Sequence, residues 1–337
     1  MTQQSARGAS WASDAEEKRC ATPVEEQAAA VEDDRSVVIL TTNELEPLEN
    51  PSVEVIALAM QQLQCSDDWL VQHEAITQLR RAIVHHMSSR LTDEEYVCAF
   101  VPLLATACDN LRSALAKNAL LALSECFEYL GFARLQSFLV VSTAVRRRSS
   151  CNAVSSSEPA LLLDVLLRKS TCEKRFLRDA ALEAVDQLIQ YLASPELIAC
   201  AAPYATNKNA KVVAIASKII SQSFRRLSPS DLARFTTQEA SLQVILAALA
   251  RFRAGKESTA RSESLVCLKM LGESIGNAKM EAALQLALGS DAHTITSILS
   301  EVFPSSKKPV SADVGRRGSL RDRMMVAQRQ SDTSSEQ

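Results

Sequence analysis

The side chains able to do chemistry in this 337-residue chain are of two kinds, and their spacing separates them. The histidines, His73, His85, His86 and His293, are not spaced with acids or cysteines as a catalytic triad or a metal site would be. His85 and His86 fall where a helix ends, and a ring there stabilises the carbonyl terminus. The nine cysteines (Cys20, Cys65, Cys98, Cys108, Cys126, Cys151, Cys172, Cys200, Cys267) contain no C-x-x-C pair. They fall mostly on apolar helix faces, which predicts packing in a reducing compartment over metal or redox work. No glycine-rich phosphate loop is present. What does recur is an aromatic and a series of cations just ahead of helices: Trp69, then Asn110 and Arg112, then Lys174 and Arg175, then Lys208, Asn209 and Lys211, then Lys256 and Arg261. Such groups bind rather than turn over. An aromatic supplies a desolvated anchor and cations supply steering toward an acidic partner. Neither an enzyme nor a cofactor is expected.

The elements that must position these residues are amphipathic helices. Four strings run from a polar or basic turn into a helix: DDWLVQHEAITQLRRAI, DNLRSALAKNALLALSEC, CEKRFLRDAALEAVDQLI and NKNAKVVAIASKIISQSF. In the second, Leu115, Ala119, Ala122, Cys126 and Leu130 recur three or four apart and form one stripe, with Lys117, Asn118 and Glu125 off it. Val71, Ala75, Leu79 and Ile83 repeat the pattern in the first copy, and Leu177, Ala181, Val185, Leu188 and Leu192 in the third. Val212, Ala216, Ile219 and Ser223 do so more weakly in the fourth. Ala75, Ala119, Ala181 and Ala216 sit mid-stripe, where a small side chain lets stacked helices approach closely.

Eight glycines, 4% aromatics and the absence of alternating β-branched runs leave little signal for a sheet. The reading is all-α: an α-α superhelix, an armadillo/HEAT-type solenoid of about six helix pairs with disordered tails. The pairs are placed at Val53 to Cys65 with Trp69 to Met87, Asp93 to Cys108 with Leu111 to Leu130, and Glu158 to Ser170 with Lys174 to Leu192. Then come Pro195 to Ala205 with Ala210 to Arg226, Glu239 to Ala254 with Ser258 to Ile275, and Ala278 to Leu288 with Ala292 to Phe303. Thr92-Asp93-Glu94-Glu95 and Ser194-Pro195-Glu196 are start signals, a cap or proline followed by acids that suit the helix dipole.

Residues 1–50 carry 11 acidic and 4 basic side chains and read as an acidic, mostly disordered arm. Inside it Val37 to Leu40 is an apolar patch that either packs back onto the domain or is linker. Residues 51–303 form the repeat domain, interrupted at 141–157 by a Ser/Arg-rich surface insertion. Residues 304–337 form a basic, Ser-rich disordered tail, with 7 basic and 4 acidic side chains from 305 on. The domain is near neutral and its cations lack interleaved aromatics, which argues against nucleic acid. No apolar run reaches the ~20 residues that span a bilayer, and no basic-then-apolar leader opens the chain, so a cytosolic protein away from membranes is expected.

At its turns the chain resembles the TOG domain, a six-repeat HEAT array that binds tubulin, and within it the branch of CLASP proteins and the ciliary crescerin proteins. The resemblance runs from about residue 52 to 302. Asp68-Trp69 before Glu74, Ala75 and Leu79 looks like the first turn, where a tryptophan sits at the surface. Asn110-Leu111-Arg112-Ser113-Ala114-Leu115 looks like the second and is the most specific string, since that branch reads NLRSxV/L there. Lys174-Arg175-Phe176-Leu177-Arg178-Asp179-Ala180 resembles the third turn and Lys208-Asn209-Ala210-Lys211-Val212 the fourth. Gly255-Lys256-Glu257-Ser258-Thr259-Ala260-Arg261 has the charges of the fifth without its usual spacing. Leu70, Val71 and Gln72 also depart from the family, which has a basic residue after the tryptophan.

In a solenoid the turns within pairs emerge on one edge, so these residues would form a single stripe. The resemblance implies a microtubule-associated protein that binds αβ-tubulin along that stripe and regulates microtubule dynamics. It places the protein in the cytoplasm and cytoskeleton, or in a cilium or flagellum at the axoneme or basal body. Arg112 is open to a second use, capping carbonyls or pairing with Asp109, and Arg175 and Arg178 to service as ordinary helix charges. Since microtubule polymerases carry several arrays and this chain one, the resemblance implies a need to oligomerise or be tethered, with the tails as the means. Ser149 and Ser150 after Arg146-Arg147-Arg148, and Ser319 after Arg316-Arg317-Gly318, resemble basophilic kinase sites. The alternative function is an armadillo/HEAT scaffold that holds a peptide or protein in its concave face, for which Asn and Trp ladders on the second helices are lacking.

Overall fold

The computed structural model describes residues 37–86, 94–132, 134–135 and 162–304. They fold as paired helices, with no strand among the described residues. The first pair is α1 (Val53–Cys65) and α2 (Trp69–His85), the second α3 (Glu94–Ala107) and α4 (Ser113–Glu125), the third α5 (Leu162–Lys169) and α6 (Arg175–Leu192). The fourth joins α7 (Pro195–Ala201), extended by a 3-10 turn over Ala202–Thr206, to α8 (Ala210–Arg226). A short α9 (Pro229–Thr237) precedes α10 (Glu239–Ala254) and α11 (Ser258–Ile275), and the last pair is α12 (Asn277–Leu288) and α13 (Ala292–Val302).

Second helices stack into one layer, α2 on α4, α4 on α6, α6 on α8 and α8 on α11, while α1, α3 and α5 stack into the other. This is the two-layer solenoid that the periodicity predicts. Ala75, Ala119, Ala181 and Ala216 are fully buried in the second layer, as is Ala260 of α11. Their methyl groups permit the close approach that larger side chains would block. At the far end Gly272 does the same for α13, because a Cβ there would stand 2.5 Å from Val302 Cγ1.

Side-chain caps start most of these helices. Ser52, Asp68, Ser194, Asn209 and Asp291 each accept an N–H of the first turn that has no partner within the helix. Helix α9 was not foreseen, although Ser228 caps it through the Asp231 N–H at 3.1 Å and Pro229 opens it, the signals that mark α7. Only Phe235 and Thr236 are buried on it, too few for a visible stripe. Phe235 meets Phe224 edge to face, centroids 5.4 Å apart, and so ties α9 to α8. Helix α4 also departs from one continuous element, since it passes into a π-helical turn over Cys126–Leu130 and ends at Gly131, whose φ of +70° is left-handed.

The helical unit begins at Ile39, so a dozen residues of the expected acidic arm belong with the domain. Leu45 and Leu48 are buried. A ring nitrogen of His85 lies 2.7 Å from the Leu45 carbonyl, and the Leu48 N–H donates to His86 Nε2 at 3.3 Å. These two histidines therefore hold a strap as well as closing α2. The remaining arm, the insertion and the basic tail, with Ser149, Ser150 and Ser319, lie outside the described residues.

A second correction concerns the faces of α4. Asn118 and Glu125, read as off the buried stripe, are themselves buried, at 0% and 2% exposure. A second-layer helix packs on its own partner and on both neighbouring repeats, which leaves it little free face. The two residues meet Arg80, which is fully buried in α2. Its Nε and Nη2 donate to the two Glu125 carboxylate oxygens at 2.9 and 2.7 Å, a two-pronged charge-assisted pair. Its Nη1 donates to Asn118 Oδ1 at 2.9 Å and to the Leu40 carbonyl at 2.8 Å. Asn118 Nδ2 then donates to the His73 carbonyl at 3.0 Å and to Thr77 Oγ1 at 3.1 Å. The Thr42 hydroxyl completes the network by donating to Glu125 Oε1 at 2.8 Å.

Candidate functional site

The turns inside the pairs share one construction. Two residues ahead of each helix cap, the side chains of Ser66, Asn110 and Asn207 accept the cap residue's N–H, at 3.2, 2.8 and 2.8 Å. Short oxygen-bearing side chains close turns in this way. Where that residue is Cys172 or Gly255, a side chain six residues on reaches back to its carbonyl instead: Arg178 at 3.1 Å and Arg261 at 3.1 Å. Arg261 also bonds the Lys256 carbonyl at 2.7 Å. The first turn uses both devices, with Gln72 Nε2 on the Ser66 carbonyl at 2.6 Å. Asn110 and Asn207 are thus turn-formers, Asn209 is the cap that Asn207 holds, and Arg178 and Arg261 are staples whose guanidinium groups are committed to the backbone.

The cap positions themselves split into two classes. Asp68, Asn209 and Glu257 accept first-turn N–H groups. Arg112 caps α4 and Lys174 caps α6 without any side-chain bond to the helix. A cation there is a poor choice for folding, because it offers no acceptor and stands at the positive end of the dipole. Both extend sideways to the neighbouring repeat. The Arg112 guanidinium lies over the Trp69 ring, 5.6 Å from its centroid, within cation-π range. Lys174 Nζ donates to Ser113 Oγ of the second turn. Asn209 Nδ2 makes a longer contact, 3.5 Å, to Thr171 Oγ1 of the third. Four successive turns are thereby joined edge to edge.

Exposure distinguishes the members. Trp69 is half-buried under Arg112, so its ring is at the surface but partly covered. Asp109 does not serve Arg112. It accepts from Arg168 at 2.8 Å and lies 3.3 Å from Lys169 Nζ, bracing the second pair against the third. Arg175 is exposed and pairs loosely with Asp179 at 3.4 Å, one helical turn on. Lys208, Lys211 and Lys256 are exposed.

Two apolar residues on this edge escaped the sequence reading. Leu111 is 95% exposed, directly before Arg112, and Phe176 is 45% exposed, beside Arg175. Both lie just outside an apolar stripe that begins at Leu115 or Leu177, and that displacement is the signal that could have marked them. With Trp69 they make an apolar row flanked by Arg112, Lys174 and Arg175. Next to it an open cleft of about 330 Å³ is lined by Arg168, Thr171, Asn207 and Asn209 together with Asp164 and Tyr204.

Chemistry elsewhere is muted. Burial pushes the Cys267 thiol up to about 12 and raises Cys108 and Cys126 as well, so these stay protonated and serve as packing. Cys65 is exposed and Cys172 partly so. Burial pushes His73 below its ordinary value, with Glu74 opposing and Arg80 assisting. Its Nε2 is buried without a hydrogen-bond partner. Among the described residues no group of three or more His, Cys, Asp or Glu side chains could hold a metal ion, and no helix is long and apolar enough to cross a membrane.

No protein-family model matches the chain, and no curated protein matches it in sequence. Among solved structures, one of crescerin, which uses a TOG domain array to regulate microtubules in the primary cilium, is 14% identical with a TM-score of 0.45, covering 75% of this chain and 91% of that one. A structure concerned with TOG–tubulin binding specificity is 13% identical with a TM-score of 0.43, over 73% and 91%. A designed armadillo repeat protein is 11% identical with a TM-score of 0.35, over 73% and 98%. The solenoid assignment rests on the chain's own helix pairing.

Proposed function

We propose that this protein binds αβ-tubulin through the edge formed by its intra-pair turns and regulates microtubule dynamics, in the cytoskeleton or in a cilium or flagellum. The observation that carries the reading is the pair of cationic helix caps, Arg112 and Lys174. Each forgoes a cap bond in its own helix and reaches a neighbouring turn, Arg112 at the Trp69 ring and Lys174 at Ser113. Local folding does not ask for cations at these positions, whereas an acidic partner does. The exposed Leu111 and Phe176 give that partner apolar anchors between the charges, the combination of desolvated centre and charged surround that concentrates binding energy. The acidic partner is taken as tubulin because of the resemblance of these turns to TOG domains. The repeat domain, its N-terminal strap included, is assigned to 39–303, with the rest of the acidic arm and the basic tail as sites for tethering or oligomerisation. Phosphate on Ser149, Ser150 or Ser319 would cancel charge that otherwise holds acidic tubulin tails.

In this reading Trp69, Leu111, Arg112, Lys174, Arg175 and Phe176 contact the partner. Lys208, Lys211 and Lys256 extend the positive edge, while Asn110, Asn209 and Arg261 shape it. A scaffold that held a peptide in the concave face would need free polar side chains along the second helices. Asn118 of α4 is instead buried and bonded within the molecule, and Lys218 and Asp186 pair with each other at 2.7 Å. The test is size exclusion and co-sedimentation of the full chain with tubulin, comparing the parent with Trp69→Glu and with Arg112→Glu. Both variants should lose binding while helix content and melting stay as in the parent. Variants that bind as well as the parent would remove the edge from consideration.

A further inference from the structure

We propose that residues 39–48 form a clamp that fixes the register of the first two helix pairs and, through it, the stacking of Arg112 on Trp69. The inference rests on the tubulin-binding reading only for its functional consequence. The clamp itself follows from the geometry of Arg80, Asn118 and Glu125.

Helices α2 and α4 are cross-linked at two levels. At one level Asn118 holds the His73 carbonyl and Thr77 Oγ1. At the other Arg80 holds both oxygens of Glu125. Asn118 and Glu125 are seven residues apart on α4, about 10 Å at 1.5 Å per residue. On α2 Arg80 lies seven residues from His73 and three from Thr77, and it also donates to Asn118 Oδ1. Asn118 is then the middle of a lever, with Glu125 on one arm and Arg112, about 9 Å away, on the other. Movement at Glu125 is returned as movement of comparable size at Arg112. The guanidinium already stands 5.6 Å from the Trp69 centroid, against a working limit of about 6 Å for cation-π attraction. A shift of about an ångström would end the contact.

The strap closes the Glu125 end. The Leu40 carbonyl takes an Arg80 N–H, Thr42 donates to Glu125 Oε1, and buried Leu45 and Leu48 keep that flank apolar. The bend between them is preformed, since the Thr41 N–H and hydroxyl both donate to the Glu44 carboxylate at 2.7 and 2.8 Å. With the strap displaced, Arg80 would lose an acceptor and Glu125 a donor, and water would enter beside a charge pair whose strength depends on being dry. The Arg80–Glu125 pair would remain between α2 and α4 at that level, but hydrated, weaker and less fixed in geometry. Thr42, Leu45, Asn118 and Glu125 are in this account positioning residues, none of which touches the partner.

The experiment uses the full chain with Trp11→Phe, which leaves Trp69 as the sole tryptophan. In that parent Arg112→Ala should raise acrylamide quenching of Trp69 and shift its emission. Thr42→Val and Leu45→Glu should each raise quenching without touching the ring, and in both backgrounds Arg112→Ala should have no further effect. Thr42→Ser keeps the hydroxyl and should restore the parent signal, which a general loosening of the fold would not do. If Leu45→Glu fails to fold, Thr42→Val with its Ser counterpart decides the matter. Unchanged quenching in Thr42→Val, with Arg112→Ala still effective there, overturns the clamp. Tubulin affinity should fall about tenfold in Thr42→Val, the size of coupling found between residues of one network. A parent that does not bind tubulin overturns the partner, while the fluorescence measurement, which needs none, still decides the clamp.

Discussion

The first three turns and the last two are built from similar residues and do different things. In the first three, two cations lie across repeat boundaries, Arg112 at Trp69 and Lys174 at Ser113, while Arg178 closes its own turn. In the last two, the cations stay at home, with Arg261 bonded to its own turn and Lys208, Lys211 and Lys256 exposed. Beneath them the second-layer helices differ in the same sense. Arg80, Asn118 and Glu125 bind α2 to α4 from inside, whereas α6 and α8 are joined by the exposed pair Asp186 and Lys218. The comparison teaches that cations reach across repeats above the helices that buried polar bonds tie together. The second half lengthens the edge and adds charge.

The sharpest break of this comparison is in stability. Arg80→Leu leaves Glu125 as a buried, uncompensated charge and should cost about 3–5 kcal/mol in denaturant unfolding. Lys218→Ala removes a solvated pair and should cost about 0–1 kcal/mol. Equal losses would erase the distinction between the two halves. Binding comes next: Trp69→Ala or Arg112→Ala should each weaken tubulin affinity by about 2 kcal/mol or more, as central anchors do, measured by fluorescence titration.

A third probe uses pH. The folded state lowers the His73 pKa through burial, so the unfolded chain takes up the proton first as pH falls. Stability should be unaffected above the ordinary histidine value near 6.5 and decline below it, until the folded-state pKa is passed. His73→Leu should flatten that part of the profile, since the ring nitrogen has no partner to lose. The smallest effect belongs to the outlying lysines. Replacing Lys208, Lys211 and Lys256 by alanine should change affinity by less than about 1 kcal/mol per residue and should mainly reduce the salt dependence of association, as stopped-flow mixing would show.

The solenoid was legible because its signals are local. Periodic stripes, mid-stripe alanines and caps such as Ser194 before Pro195 each act within a helical turn or two. Helix α9 carried the same cap chemistry and was passed over for want of a stripe. The edge was legible by residue type, yet the distinction between Arg112, which reaches a neighbour, and Arg261, which closes its own turn, depends on what lies two positions before the cap. The Arg80 network was hidden for a different reason. Asn118 and Glu125 fall off the stripe by spacing, and only the packing of three repeats around α4 shows where an arginine from 38 and 45 residues away meets them. The strap was obscured by its neighbours, since Leu45 and Leu48 alternate with Glu44, Glu46 and Glu49 at the end of an acidic arm.

The bond from Thr42 to Glu125 spans 83 residues, in an architecture where most contacts join adjacent repeats. On the ribosome the strap is made early, and its acceptor follows roughly 4 to 17 s later at ordinary rates of synthesis. During that interval Leu45 and Leu48 have no finished surface to cover. The strap, made before either of the first two pairs, can thus settle only after both have been synthesised, so at this end of the chain an early segment waits on a later one.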